Sequence, residues 1–336
     1  MTNGNGNGTR KPTDLALVGC GRISQVHLQA IAREPRVKLV GVMDIDEKAV
    51  RGVAEAMKAP PFTSMQEMLD KAKPEAVVLC TPPSTHRALV EEAFAAGVHV
   101  LCEKPLSISL QDAEAMADAA SAAERVLMMA SKFRYVGDIV KAKAILQSGI
   151  LGEIILLENG FCSRVDMKRR WNAQREIAGG GVLIDNGSHS VDIIRYLCGP
   201  IDDLKAIFGK KWQELEVEDT ARLFVRCVDG VMASIDLSWS IHKEDPFYIH
   251  VYGTAGTLEV GWKGSRYRQS EKLDWVPFGT GYDKFQAVGA QLGNFIDTIY
   301  GKVEPLISIE DAIESVRVIQ RAYRTVEDDH WEKVTV

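Results

Sequence analysis

No apolar run in the 336 residues approaches the ~18 that a membrane-spanning helix needs; the best candidates, such as Ala76–Cys80, are strand-sized. Basic charge is not in excess, since 40 Lys+Arg against 46 Asp+Glu leave −6. A nucleic-acid binder needs the opposite balance. Cysteines number six, scattered and without a C-x-x-C pair, so reduced thiols in a cytoplasmic compartment are expected rather than a disulfide framework. No H-E-x-x-H pattern occurs, and no third ligand stands at a recognisable spacing from any Asp/His pair, so no metal is expected. The start, Met1-Thr2-Asn3-Gly4-Asn5-Gly6-Asn7-Gly8, lacks an apolar stretch behind it. Residues 1–12 therefore read as a disordered tail and not as a signal peptide.

What is present is globular: 46% hydrophobic and 26% charged residues, in a chain about twice the usual ~150-residue domain. Apolar strand-like runs at Leu15–Val18, Val37–Met43, Ala76–Cys80, Val98–Leu101 and Val126–Ala130 alternate with amphipathic helical stretches. Continuous apolar strands separated by helices predict a doubly wound, parallel α/β sheet of the Rossmann type over 13–131. Beyond it, helical stretches at Tyr135–Gln147 and Leu183–Leu197 flank a strand at Ile154–Phe161, and long strands run from Asp203 to Gly261. Asp229-Gly230 between two alternating runs predicts a hairpin. Two closing helices follow, near Phe285–Tyr300 and Ile309–Thr325. Residues 132–336 thus read as an α+β domain built on a mostly antiparallel sheet.

Gly19-Cys20-Gly21-Arg22-Ile23-Ser24 lies between the first strand and first helix. Gly19 permits a tight turn, Gly21 lets backbone approach a pyrophosphate, and the helix start at Arg22-Ile23 offers free N–H groups. Ser24 stands where the strict pattern has glycine. Asp44 ends the second strand, where a carboxylate can bind ribose hydroxyls and repel a 2′-phosphate; NAD(H) is expected in preference to NADP(H). Thr81-Pro82-Pro83-Ser84-Thr85-His86 and Glu103-Lys104-Pro105 leave later strands at the same sheet edge. Thr81, Pro82, His86, Glu103 and Lys104 are therefore cofactor candidates, although a Ser84-capped structural turn fits the first segment equally well. Lys104 beside a cofactor loop is also a proton-transfer candidate.

Gly179-Gly180-Gly181 leads into Asp185 and His189, four apart and on one face if the segment is helical. Histidine titrates nearest neutrality, so proton transfer is favoured over metal binding. Just upstream, Arg164, Lys168, Arg169, Arg170 and Arg175 face the single acid Asp166, with Trp171 among them. A solvated loop or subunit contact accounts for such a run; a clamp for an anionic substrate, with Arg164, Arg169 and Trp171 as contacts, is the functional alternative.

Together, Gly19-Cys20-Gly21-Arg22-Ile23, Glu103-Lys104-Pro105 and Gly179-Gly180-Gly181…Asp185…His189…Asp192 resemble the glucose–fructose oxidoreductase / inositol dehydrogenase (Gfo/Idh/MocA) family. Lys132-Phe133-Arg134 and Tyr252-Gly253-Thr254-Ala255-Gly256-Thr257-Leu258 extend the resemblance over nearly the whole chain. It implies that Lys104, Asp185 and His189 are catalytic, with Arg134 placed on the substrate side. It further implies a sugar, cyclitol or nucleotide-sugar substrate whose secondary hydroxyl is interconverted with a ketone, His189 or Lys104 taking the proton while Asp185 holds His189 in register. It implies as well that the 132–336 sheet is open-faced and serves substrate binding and oligomerisation, so a homodimer or homotetramer is the expected assembly, with no nucleic-acid or membrane partner. The rival readings are a non-catalytic NAD-binding regulator and an enzyme using transient redox on bound NAD.

Overall fold

The computed structural model describes residues 11–272 and 274–334, so most of the expected 1–12 tail lies outside the described residues. Alternation of strand and helix builds the first half as β1 (Thr13–Val18), α1 (Ser24–Arg33), β2 (Val37–Met43), α2 (Glu47–Met57), β3 (Pro61–Phe62), α3 (Met65–Ala72), β4 (Ala76–Leu79), α4 (His86–Ala95), β5 (His99–Glu103), α5 (Leu110–Ala123) and β6 (Leu127–Ala130). The strands are all parallel, in the order β3-β2-β1-β4-β5-β6. Helices cover both faces, which is why β4 and β6 are buried at every position. The chain reverses its winding between β1 and β4, and that switch point opens a crevice at the carboxyl ends of the strands. The segments that follow β1, β4, β5 and β6 all emerge there. The Rossmann expectation is met.

The second half continues with α6 (Gly137–Gln147), β7 (Ile154–Cys162), α7 (Arg175–Ala178), α8 (Val182–Asp185), α9 (Gly187–Cys198), β8 (Ile201–Phe208), β9 (Thr220–Cys227) and β10 (Met232–Ser238). Then come β11 (Phe247–Gly253), β12 (Gly256–Gly261), β13 (Ser265–Gln269), β14 (Val276–Gly279), α10 (Lys284–Ile299), α11 (Ile309–Glu327) and β15 (Glu332–Lys333). Nine of these strands form one sheet, β14-β13-β12-β11-β7-β10-β9-β8-β15, in which only the β7–β10 pair is parallel. The expected hairpin joins β9 to β10, with Gly230 at φ +84° supplying the left-handed turn position. Burial alternates along β9, with Leu223 and Val225 in the core and Arg222, Phe224 and Arg226 on the uncovered face. That face is open, as anticipated.

Two features depart from the sequence reading. The helix expected over Leu183–Leu197 is divided into α8 and α9 at Asn186. More consequential is α10, which leaves the second half to pack on α1. Its Val288, Leu292, Phe295 and Ile296 share a core with Leu15, Leu17, Leu28 and Ile31. Arg36 to Asp297 (2.8 Å) and Thr13 to Tyr300 (2.6 Å) fasten the same seam.

Candidate active site

The glycine loop after β1 is shaped by steric necessity. Gly19 has φ +90°, and a Cβ there would lie 2.7 Å from the Cys80 carbonyl carbon. At Gly21 a Cβ would meet nothing within 4 Å, so the space beside the loop is open. No side chain caps the start of α1 and its first turn holds no acid, which leaves N–H groups and the positive helix end available to phosphate. Ser24 does not disturb the turn: buried, it donates its hydroxyl to the Gly21 carbonyl at 2.6 Å. Asp44 accepts from the Cys20 amide at 2.6 Å and from the Asp46 amide at 2.9 Å, fixing a carboxylate beside the loop. These residues fit a dinucleotide. Arg22 is exposed and Ile23 half-buried at the mouth of the loop.

Three residues that the sequence offers as ligand contacts turn out to be internal struts. His86 is fully buried, its ring nitrogens 3.1 Å from the carbonyls of Pro105, Leu106 and Thr81, so it ties the 81–85 loop to the turn after β5 rather than facing a cofactor. Glu103 binds His27 Nε2 at 2.7 Å and accepts from the Lys104 amide at 3.2 Å, which occupies both its oxygens. Burial pushes the Glu103 carboxyl up, but the His27 hydrogen bond and the charges of His27, Lys132 and Lys104 outweigh it and hold the group below its ordinary range. Arg134 is buried between Asp192 (2.8 Å) and Asp311 (2.6 Å) and also donates to the Leu306 carbonyl, so its guanidinium is not offered to a substrate. Ser131 completes this network with a 2.7 Å bond to Asp192. Thr81 and Pro82 remain half-exposed at the crevice.

Lys104 and Asp185 lie against each other, a pairing that the sequence reading did not include. Lys104 Nζ donates to Asp185 Oδ1 at 2.6 Å and to the Asp185 carbonyl at 2.9 Å. His189, by contrast, is not held by Asp185, and among the described residues no hydrogen bond joins the two. His189 Nε2 instead meets Lys132 Nζ at 2.9 Å, and its ring lies roughly perpendicular to that of Phe133. Burial, then the charges of Lys132, Lys104 and Lys284, push the His189 pKa well down. Burial and Lys104 likewise lower Lys132, to about 7, against the pull of Glu103 and Asp185. Lys284, at the start of α10, is lowered mainly by burial. Sequence reading misses Lys132, Lys284 and His27. The rule that singles out Lys104, a lysine leaving a strand at the carboxyl edge, would have found Lys132 as well.

The three-glycine run positions Asp185. A Cβ on Gly181 would lie 1.9 Å from the Glu218 carbonyl oxygen, and one on Gly180 as close to the Tyr323 hydroxyl. Glu218 Oε1 accepts from Gly181 N (2.9 Å), Leu183 N (3.1 Å) and Tyr323 OH (2.7 Å), so the start of α8 is clamped. In the basic segment, Arg164 and Arg169 are exposed, without an ion pair among the described residues, and Trp171 is exposed as well. Arg170 is half-buried, and burial, then the charge of Arg22, hold its guanidinium below its ordinary range against the pull of Asp185 and Asp166. No group of three or more His, Cys, Asp or Glu among the described residues could hold a metal. No helix among them is long and apolar enough to cross a membrane.

A dinucleotide crevice with ionisable side chains converging on its mouth defines a two-domain oxidoreductase. Residues 13–131 match the oxidoreductase family profile described as GFO/IDH/MocA, NAD-binding Rossmann fold, and residues 139–259 match the GFO/IDH/MocA C-terminal domain. The chain belongs to the GFO/IDH/MocA oxidoreductase family. It is 26% identical to the rhizopine catabolism protein MocA of Rhizobium meliloti, covering 94% of this chain and 95% of that one. It is 29% identical to D-apiose dehydrogenase of Paraburkholderia graminis, over 73% of this chain and 66% of the other. The dehydrogenase WlbA of Bordetella pertussis, solved with NADH and UDP-GlcNAcA, superposes with a TM-score of 0.86 at 26% identity, covering 98% of this chain and 99% of that chain.

Proposed function

We propose that the chain is an NAD(H)-dependent dehydrogenase that interconverts a secondary hydroxyl and a ketone on a sugar, cyclitol or nucleotide sugar. The observation that carries this reading is the convergence of the Lys104–Asp185 and Lys132–His189 contacts at the edge where the glycine loop opens. A nicotinamide bound there supplies a hydride acceptor. Asp185 holds the Lys104 side chain, whose ammonium is suited to stabilise negative charge developing on the substrate oxygen. The nitrogens of His189 and Lys132 lie in reach of one proton. Asp44, fixed by the Cys20 amide, supports NAD over NADP because a carboxylate disfavours a 2′-phosphate. The basic segment that leads into α8, with Arg164 and Arg169 exposed and Arg170 half-buried, supports an anionic substrate such as a nucleotide sugar or sugar acid as the second reading.

A panel of sugars, cyclitols and nucleotide sugars screened with NAD and with NADP tests the proposal. The expected result is accumulation of NADH with at least one substrate, and weaker turnover with NADP. Cofactor binding without turnover on any compound would favour a regulator. Substrate conversion with no net NADH would favour transient redox on bound cofactor.

A further inference from the structure

Lys132 is unusually placed for a lysine. It opens the Lys132–Tyr135 turn directly after β6, so it leaves the same carboxyl edge as Lys104. Among the described residues no carboxylate forms an ion pair with it; its hydrogen-bond partner is His189 Nε2 at 2.9 Å, and the Phe133 ring lies 4.9 Å away. Lys132 is half-buried, and a lysine partly withdrawn from water ordinarily pairs with a carboxylate. An imidazole nitrogen accepts from an ammonium only while the ring is neutral. His189 Nδ1 is buried without a partner, so the ring has no other group to share a proton with.

The neighbours make the division of labour specific. Glu103 at the end of β5, Lys104 in the turn beyond it, Asp185 on α8, His189 on α9 and Lys284 on α10 are the ionisable groups that act on Lys132 or lie against it. Lys104 is engaged by the side chain and carbonyl of Asp185. An imidazolium at His189 would sit buried among three lysines. Lys132 is the remaining nitrogen that can gain and lose a proton while keeping its hydrogen bond. This argument rests on the dehydrogenase reading.

We propose that the Lys132–His189 pair holds the proton released during substrate oxidation. The substrate C–H bond breaks with its electron pair passing as hydride to the bound nicotinamide. The O–H bond breaks with its proton ending on the pair, as a Lys132 ammonium that donates to His189 Nε2. The carbonyl forms between the same carbon and oxygen, and reduction runs the sequence backwards. Burial and Lys104 place the ionisation of Lys132 at about 7, where both states are accessible.

The sign of the pH dependence follows. Oxidation requires the unloaded pair and rises with pH through neutrality, whereas reduction requires the loaded pair and falls. Lys132→Met should lower kcat about a hundredfold and displace the acid limb, with NADH affinity unchanged as evidence of an intact fold. Lys132→Arg keeps the charge but cannot release the proton, so it should be as impaired as Lys132→Met. A second readout needs no substrate: in 13Cε-lysine-labelled protein, the resonance missing from Lys132→Met should titrate near neutrality. That titration separates failure of this proposal from failure of the dehydrogenase reading. Titration in the ordinary lysine range, full activity in Lys132→Arg, or an unmoved acid limb in Lys132→Met would each overturn it.

Discussion

A half-buried guanidinium beside a cleft influences which substrate charge the cleft accepts, and Arg170 is the half-buried arginine of the basic segment, held below its ordinary range by burial and by Arg22. Arg164 and Arg169, more conspicuous in the sequence, are exposed, with no ion pair among the described residues. Replacing Arg170 with Gln should therefore raise KM for an anionic sugar about tenfold, leave KM for a neutral sugar unchanged, and spare NAD binding. Steady-state kinetics on a charged and an uncharged substrate measure this; an equal response to both would remove Arg170 as a charge selector. Lys104, Asp185 and His189 stand out as candidates in the sequence because each belongs to a patterned motif. Arg134, His86 and Glu103 read identically in the sequence yet serve as buried struts. Their partners, Asp192 and Asp311, three backbone carbonyls, and His27, lie far along the chain or in loops that no local pattern connects.

Elements with a strong apolar period were readable: the strands of the first sheet, the β9–β10 hairpin and the two closing helices. Short elements carry too few residues for a period to show, as β3 and β15 illustrate at two residues each. The start of α8 was equally hidden, since it is set by Gly181 lying against Glu218, 37 residues further along the chain. That close approach is testable. Gly181→Ala puts a methyl against backbone that cannot yield and should cost about 3 kcal/mol in urea unfolding. Gly52→Ala, on the exposed face of α2 with nothing within 4 Å of its Cβ, should be neutral or stabilising by up to about 1 kcal/mol. Equal effects at both positions would mean that close packing does not set the start of α8.

Across the whole molecule, the candidate site sits between two sheets that α10 joins by crossing from the second half onto the first-half core. Lys284, in the ionisable cluster, begins α10; Phe295 and Ile296, in the core under the dinucleotide loop, are near its end. Sequence order alone assigns α10 to the second half, because its apolar stripe does not say which core it enters. The first-half motifs Gly19–Ser24 and Glu103–Pro105 thereby face the Asp185–His189 helices across one crevice. The measurement that tests this account most directly pairs turnover with cofactor affinity in Lys104→Ala and His189→Ala. The account predicts that kcat on an accepted sugar falls about a thousandfold in each while the NADH dissociation constant, read by fluorescence titration, stays within about threefold of the parent. Near-parent turnover in either variant, or loss of NADH binding in step with turnover, would contradict it.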